Sequence, residues 1–368
     1  MRSKKNNTFF NIQKILIILI IIILLIYLFN ILKNIESFQS TTSQVESNNS
    51  STPIKIPEKL LVYYGWPSSF NHPQNAWTPS KIFPDFAKYD HVILGAGLEL
   101  SSHGNHEFTK TLISEINNTT KVYGYIDLGF RSLKQTTSGP VNVWWSQYTP
   151  DQLENRINGW KQMGAHGIFL DNFGSDYHLG HNSREKQQIA VNAVRNANML
   201  LAVNAWNPDD VFGPALDGSA SILGENDIYM SESAFVNADV QGIDRRKEIE
   251  TNTYSWWEKA QKIENYRKQI GFKVWALTTT NSVNFNQDEM EYAYLASIMM
   301  GYDGFGWGEK NFAASGETNG ISPFRQRPSY RIGTSFTSDI NETNDIFTRN
   351  TDTAQIKLDV ANGTAEII

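Results

Sequence analysis

Gly-Ile-Phe-Leu-Asp-Asn-Phe, residues 167 to 173, is the stretch on which the fold turns. An apolar run this short, closed by an acid and flanked by helix-length amphipathic segments, reads as a buried parallel strand. A parallel strand presents its functional side chain at its C-terminal end, and here that side chain is Asp171. Asp-Ile-Tyr-Met-Ser-Glu-Ser, residues 227 to 233, repeats the pattern and puts Glu232 in the same position. The two acids are expected to face one pocket.

Outward from these two runs, similar segments recur at very roughly thirty-residue intervals, the spacing of β/α units. Strands are expected at Leu60 to Tyr64, His91 to Gly95, Val122 to Asp127, Gly167 to Asp171, Met199 to Asn204, Asp227 to Glu232, Phe272 to Thr278 and Gly304 to Gly308. Between them, helices are expected at Thr109 to Asn117, Asp151 to Met163, Arg184 to Ala197, Tyr254 to Ile270 and Gln287 to Met300, the second starting at Thr149 or Pro150. The alternation predicts an α/β fold, a single (β/α)8 TIM barrel over residues 57–328. A doubly wound open sheet shares this alternation, but it usually carries a glycine-rich phosphate turn after an early strand, and Tyr64-Gly65-Trp66-Pro67 is not one. After Pro328 the chain becomes threonine-rich and alternating, and Asn362-Gly363 suits a hairpin. Residues 329–368 are therefore expected to be a small β-rich C-terminal appendage.

The N-terminus belongs to a different environment. Ile15 to Leu32 is uncharged and apolar apart from Asn30, and at about 1.5 Å per residue it nearly spans a bilayer's hydrocarbon. A cleaved signal peptide is the alternative, but no Ala-x-Ala site follows the run. Arg2, Lys4, Lys5 and Lys14 precede it, which predicts a cytoplasmic tail at 1–14 and a transmembrane helix at 15–32. The serine-rich segment 33–56 reads as a flexible linker. The expectation is a single-pass, type II membrane protein with its large domain outside the cytoplasm. Asn48, Asn118, Asn341 and Asn362 head Asn-x-Ser/Thr triplets, which chance explains in so asparagine-rich a chain. Net charge is −6 and no long basic tract lies outside the N-terminus, which argues against nucleic acid as a partner. The chain has no cysteine, so disulfides, thiolate metal sites and cysteine nucleophiles drop out together.

Strand ends of a TIM barrel converge on one face, so the candidates there can be named. Tyr64 and Trp66 follow the first strand, Asp127 ends the third, Asp171 and Asn172 end the fourth, Asn204 and Trp206 follow the fifth, Glu232 ends the sixth, and Trp307 belongs to the eighth. Carboxylates and amides bind sugar hydroxyls, and aromatic faces cover the apolar faces of pyranose rings. Glycosidic cleavage needs two carboxyl groups, one protonated to release the leaving oxygen and one ionised to attack or to activate water. Asp171 and Glu232 are the catalytic candidates; Tyr64, Trp66, Asp127, Asn172, Asn204, Trp206 and Trp307 are the substrate-binding ones. The competing reading is structural: either acid caps a helix or pairs with a cation such as Arg184, and Asp127 is a buried, hydrogen-bonded aspartate. Asp176 and Glu309 read as loop charges. His72, His103, His106, His178 and His181 lack paired ligand spacing, so no metal and no cofactor is expected. Trp144-Trp145 and Trp256-Trp257 read as pairs with one ring in the core. Gly-x-Ser-x-Gly is absent, which leaves an esterase elbow unsupported.

Five motifs together resemble a known group. Leu-Val-Tyr-Tyr-Gly-Trp, Val-Tyr-Gly-Tyr-Ile-Asp-Leu-Gly, Gly-Ile-Phe-Leu-Asp-Asn-Phe, Leu-Ala-Val-Asn-Ala-Trp-Asn-Pro and Ile-Tyr-Met-Ser-Glu-Ser, between Lys59 and Trp307, are similar to the spherulin-4 and endo-α-1,4-polygalactosaminidase type of TIM-barrel glycoside hydrolases. The resemblance implies action on amino-sugar exopolysaccharides such as galactosaminogalactan, with Asp171 and Glu232 as the acids. Where such proteins often carry a second acid beside the strand-four aspartate, this chain has Asn172. The expected function is an endo-acting hydrolase of an extracellular polysaccharide; the alternative is a non-catalytic, membrane-tethered glycan-binding or adhesion protein.

Overall fold

The computed structural model describes residues 51–69, 79–129, 135–136, 139–140, 148–174, 183–215, 218–237, 242–243, 256–279, 286–308, 325 and 327–368. Ser51–Ile368 forms one compact unit. The expected tail, the membrane span at 15–32 and the linker up to residue 50 lie outside the described residues, as do His72, Trp144, Trp145, Asp176, His178, His181 and Glu309. Among the described residues no helix is long and apolar enough to cross a membrane.

Eight parallel strands close into a barrel: β1 Glu58–Tyr63, β2 His91–Leu94, β3 Lys121–Asp127, β4 Gly167–Asp171, β5 Leu200–Asn204, β6 Ile228–Glu232, β7 Lys273–Thr279 and β8 Gly304–Gly308, with β8 pairing back onto β1. All eight expected strands are present. Their sequences are almost continuously apolar because a parallel strand in this architecture is buried on both sides. The two-residue period sends Leu60, Val62, Tyr123, Tyr125, Phe169 and Met230 into the barrel. The alternate residues, such as Leu61, Val122, Ile168, Val203 and Val274, pack outward under the helices.

Helices α1 Pro79–Phe86, α2 His106–Ile116, α3 Pro150–Gln162, α4 Ser183–Asn196, α5 Pro208–Phe212, α6 Trp256–Ile270 and α7 Gln287–Met299 provide that cover. Helix α3 shows how local sequence sets the ends. Thr149 accepts from the Gln152 N–H at 3.3 Å while the Gln152 side chain accepts from the Thr149 N–H at 3.0 Å, a reciprocal cap with Pro150 in the first turn. Leu153, Ile157 and Trp160, spaced on one helical face, are its buried residues.

Helix α7 is buried without interruption from Tyr292 to Met299, so it needs cover on two sides. The barrel supplies one side. The other is a four-stranded antiparallel sheet, β9 Asn341–Thr343, β10 Ile346–Asn350, β11 Gln355–Asp359 and β12 Thr364–Ile367, which contacts α7 through β11 and β12. Phe347, Ile356, Leu358 and Val360 join the same core as the helices. The Arg349 guanidinium lies 3.6 Å from the Phe336 ring centroid and donates to the Met299 carbonyl at 2.5 Å, while Arg267 donates to Met300 and Gly301. Two cations thus meet the carbonyls at the α7 C-terminus, where the helix dipole favours positive charge. Trp256 and Trp257 both rest against Phe347, one buried and the other half-buried, so this tryptophan pair seats the sheet.

The inside of the barrel is crowded at its lower end. Tyr123 and Trp275 meet edge to face at 5.1 Å, and His91, bonded to Glu58 at 2.7 Å, packs on Trp275 at 4.6 Å. Their register partners are Gly167 and Gly304. A Cβ on Gly167 would stand 2.5 Å from the Tyr123 ring and 2.9 Å from the Leu200 carbonyl, and one on Gly304 would stand 2.4 Å from Trp275. These glycines make room for the two rings. Gly167→Ala is expected to cost about 1 to 3 kcal/mol, because a backbone carbonyl cannot step aside. Urea unfolding measures it, and an unchanged midpoint would contradict this packing.

Candidate active site

The two-residue period that fills the barrel continues to the strand ends. Asp127, Asp171, Asn204 and Glu232 share the inward face with Tyr123, Phe169, Ala202 and Met230 and stand above them. Asp127 is in register with Asp171, and Asn204 with Met230, so Glu232 lies one inward position higher. The longer glutamate side chain spans that offset.

One amide joins the two acids. Asn204 Nδ2 donates to Asp171 Oδ1 at 2.9 Å and to Glu232 Oε2 at 2.7 Å. The donor assignment is forced, since only the NH2 end of the amide can face two carboxylate acceptors. Laid end to end, bonds of 2.9 and 2.7 Å allow these two oxygens at most 5.6 Å of separation. Asn204 is 6% exposed, and its own Oδ1 is buried with no hydrogen-bond partner among the described residues.

Asp171 receives three donors. The Tyr125 hydroxyl reaches Oδ2 at 2.6 Å, and the Asn172 N–H reaches Oδ1 at 2.9 Å alongside Asn204. Burial pushes the Asp171 carboxyl above the ordinary carboxylate range and the neighbouring charge of Asp127 adds to this, while Tyr125, Asn172 and Asn204 pull it back. Burial also holds the Tyr125 and Tyr64 phenols well above their ordinary value, reinforced by nearby carboxylates, so both remain neutral donors. The Tyr64 ring meets Tyr125 edge to face at 5.1 Å, and its phenol feels Asp171, Glu232 and Asp127 together.

Asn172 occupies the left-handed region at φ 53°, which asparagine tolerates better than most residues. Its Nδ2 donates to Asp127 Oδ1 at 2.7 Å, and the Gly129 N–H donates to the same oxygen at 2.8 Å. An aspartate at 172 would set a carboxylate against Asp127 where an amide now bonds it. A Cβ on Gly129 would come within 2.9 Å of both Asp127 Oδ1 and Asn172 Nδ2. Ser233, the residue after Glu232, is left-handed too at φ 51°, so both acid-bearing strands end in the same sharp turn.

The remaining candidates are placed unequally. Trp206 is half-buried, with the Lys259 ammonium 4.9 Å from its ring centroid, and the same ammonium donates to the Glu232 main-chain carbonyl at 3.2 Å. Trp66 packs edge-on against His103 at 5.5 Å at the exit of β1. Trp307 corrects the expectation of a sugar platform. It shares the outward parity of Phe305, is 5% exposed, and sits in the core beneath the helices, because one residue along a strand reverses the side chain. Arg184 has its described hydrogen bonds elsewhere. It donates to Gln187 and to the Val211 and Gly213 carbonyls at the end of α5. Among the described residues no group of three or more histidine, aspartate and glutamate side chains is arranged to hold a metal. Tyr125 and Lys259 were not among the candidates. The inward parity of Tyr125 with Asp127 could have pointed to it, whereas Lys259 arrives from α6 with no local signal.

The fold is a closed parallel (β/α)8 barrel, and the site is a hydrogen-bonded acid cluster at the C-terminal ends of its strands. No family model matches the chain and no curated protein matches it. Solved structures similar to it include a variant of the glycoside hydrolase domain of PelA from Pseudomonas aeruginosa, at 14% identity and a TM-score of 0.43, covering 68% of this chain and 95% of that one. Ega3 of Aspergillus fumigatus, in complex with galactosamine, matches at 14% identity and a TM-score of 0.40, covering 70% and 92%. A dihydrodipicolinate synthase from Agrobacterium tumefaciens matches at 11% identity and a TM-score of 0.36, covering 68% and 70%. The first is a glycoside hydrolase domain and the third a synthase.

The cluster's electrostatics give a signed expectation. Tyr125→Phe removes a donor to the charged form of Asp171 and moves its titration to higher pH, while Asp127→Asn removes a repelling charge and moves it lower. Carboxyl-carbon NMR of the full-length chain, assigned with Asp171→Asn, reads both shifts; two shifts of the same sign would contradict this account.

Proposed function

We propose that this chain is a membrane-anchored, outward-facing glycoside hydrolase that cleaves an extracellular polysaccharide by a two-carboxylate mechanism. The observation that carries the reading is the Asn204 bridge between Asp171 and Glu232. Two carboxylates held at the mouth of a barrel with a shared amide donor have little structural use, since close like charges cost stability. They suit a glycosidic bond lying between them.

The shared amide, at 2.9 and 2.7 Å from one oxygen of each acid, holds the pair close, in keeping with a retaining outcome. Retaining enzymes place their acids roughly 5 to 5.5 Å apart, whereas inverting ones leave about 6.5 to 9.5 Å for a water. Asp171, raised by burial but met by three donors that favour its charged form, is assigned the nucleophile, and Glu232 the general acid/base. In the first step Asp171 bonds to the anomeric carbon as that carbon's bond to the leaving oxygen breaks, and Glu232 gives its proton to that oxygen. In the second, water attacks the anomeric carbon, Glu232 takes back a proton, and Asp171 leaves as carboxylate.

The convergence of Asp127, Asp171 and Glu232 on one mouth favours a neutral or cationic sugar over an acidic one, in keeping with the amino-sugar polymers that the motif resemblance implies. Trp206 supplies aromatic surface, with Tyr64 and Asp127 buried behind the acids and Asn172 at the edge of the cluster. Anchoring rests on the apolar run at 15–32 and the basic residues before it.

Incubation of the full-length chain with α-1,4-linked galactosamine polymers and a wider glycan panel is expected to release new reducing ends of retained anomeric configuration, read by proton NMR. Glu232→Gln should lower the rate roughly 10²- to 10⁴-fold, and Asp171→Asn at least as much. Retention of a glycan without any product would establish the binding-protein alternative, and inverted product would overturn the assignment of Asp171.

A further inference from the structure

Lys259 stands outside the acid cluster, at the end of the first turn of α6, yet it touches two parts of the mouth. Its ammonium lies 4.9 Å from the Trp206 ring centroid and donates to the main-chain oxygen of Glu232 at 3.2 Å. Trp206 follows β5 and Glu232 ends β6, so one side chain from a helix ties together the exits of two neighbouring strands. The carbonyl it holds belongs to the residue before the left-handed Ser233, where the chain turns away from the barrel. We propose that Lys259 is a positioning residue that fixes Trp206 as a one-sided sugar platform beside Glu232.

Three observations converge on this. The cation occupies one face of the indole, so a pyranose can stack only on the other, and the ring presents a single defined surface. The hydrogen bond to the Glu232 carbonyl relates that surface to the acid by a contact through main chain, which does not move with side-chain rotamers. Trp206 is only half-buried, so packing alone leaves the ring freedom that the ammonium removes. The role in sugar binding rests on the hydrolase reading above; the Lys259–Trp206 contact does not.

The test uses the full-length chain in two arms. In the first, the chain is labelled with 5-fluorotryptophan and the Trp206 line is assigned by its loss in Trp206→Phe. Lys259→Met is expected to shift and broaden that line and Lys259→Arg to leave it in place. An unmoved line in Lys259→Met overturns the proposal whether or not any glycan binds. In the second arm, affinity for α- and β-1,4-linked hexose and hexosamine oligosaccharides is measured in the Glu232→Gln background. Lys259→Met is expected to weaken binding about 3- to 20-fold, with Lys259→Arg restoring it, and to add nothing in a Trp206→Ala background. Losses that add in full across Lys259→Met and Trp206→Ala overturn the positioning role. Failure of every oligosaccharide to bind the Glu232→Gln parent overturns the hydrolase reading and with it the platform, leaving Lys259 as a contact that only the first arm supports.

Discussion

Barrel closure is the constraint from which the rest follows. With β8 paired to β1, no strand can slip by one residue without turning its whole apolar set the wrong way, so the two-residue alternation is locked on all eight strands together. The same alternation that puts Tyr123, Phe169 and Met230 inside the barrel puts Asp127, Asp171 and Glu232 above them. The site is the upper end of the core, continued in polar residues. Its geometry inherits the rigidity of the packed rings below, Tyr125 in particular, whose ring is held against Tyr64 and Phe169 while its hydroxyl fixes Asp171.

Much of this was legible in the amino-acid order because buried parallel strands leave a strong trace. Gly167–Asp171 and Gly304–Gly308 could be bounded to the residue, since an apolar run in this fold begins and ends where the barrel does. Helices α1 and α5 were not anticipated. The first has Pro84 inside it and the second is five residues long, so neither displays enough helical period to read. Trp307 was misplaced for a different reason: aromatic content near a strand end suggested a platform, and only its parity with Phe305 reveals that it faces the helices. The Asn204 bridge could not be read at all. It depends on the offset that puts Met230 beside Asn204 and raises Glu232 by one inward position, which is a property of the pairing between two strands.

Asn172 changes meaning in the structure. As a letter in a motif it marks a missing acid; as a residue at φ 53° it is a backbone device whose amide satisfies Asp127. The C-terminal sheet changes meaning likewise. Within the expected β-rich segment, the sheet also covers the second side of α7, and Arg349 joins it to the end of that helix. Helix α7 is thus covered on its second side only by chain that follows the eighth strand.

The chain enters the compact unit on the face opposite the acids. Thr52–Pro53 pairs with Ser335–Phe336, the Ile54 N–H donates to the Thr334 carbonyl at 2.9 Å, and Lys55 pairs with Asp303, the residue that precedes β8. Mechanically, a pull applied at residue 51 loads these contacts first. They link the incoming segment to the base of β8 and to the run leading into the C-terminal sheet, so tension enters through the floor of the barrel. The Asn204 bridge lies at the other end of the strands, out of the line of such a pull, so the spacing of the acids is not set by the contacts that would yield first.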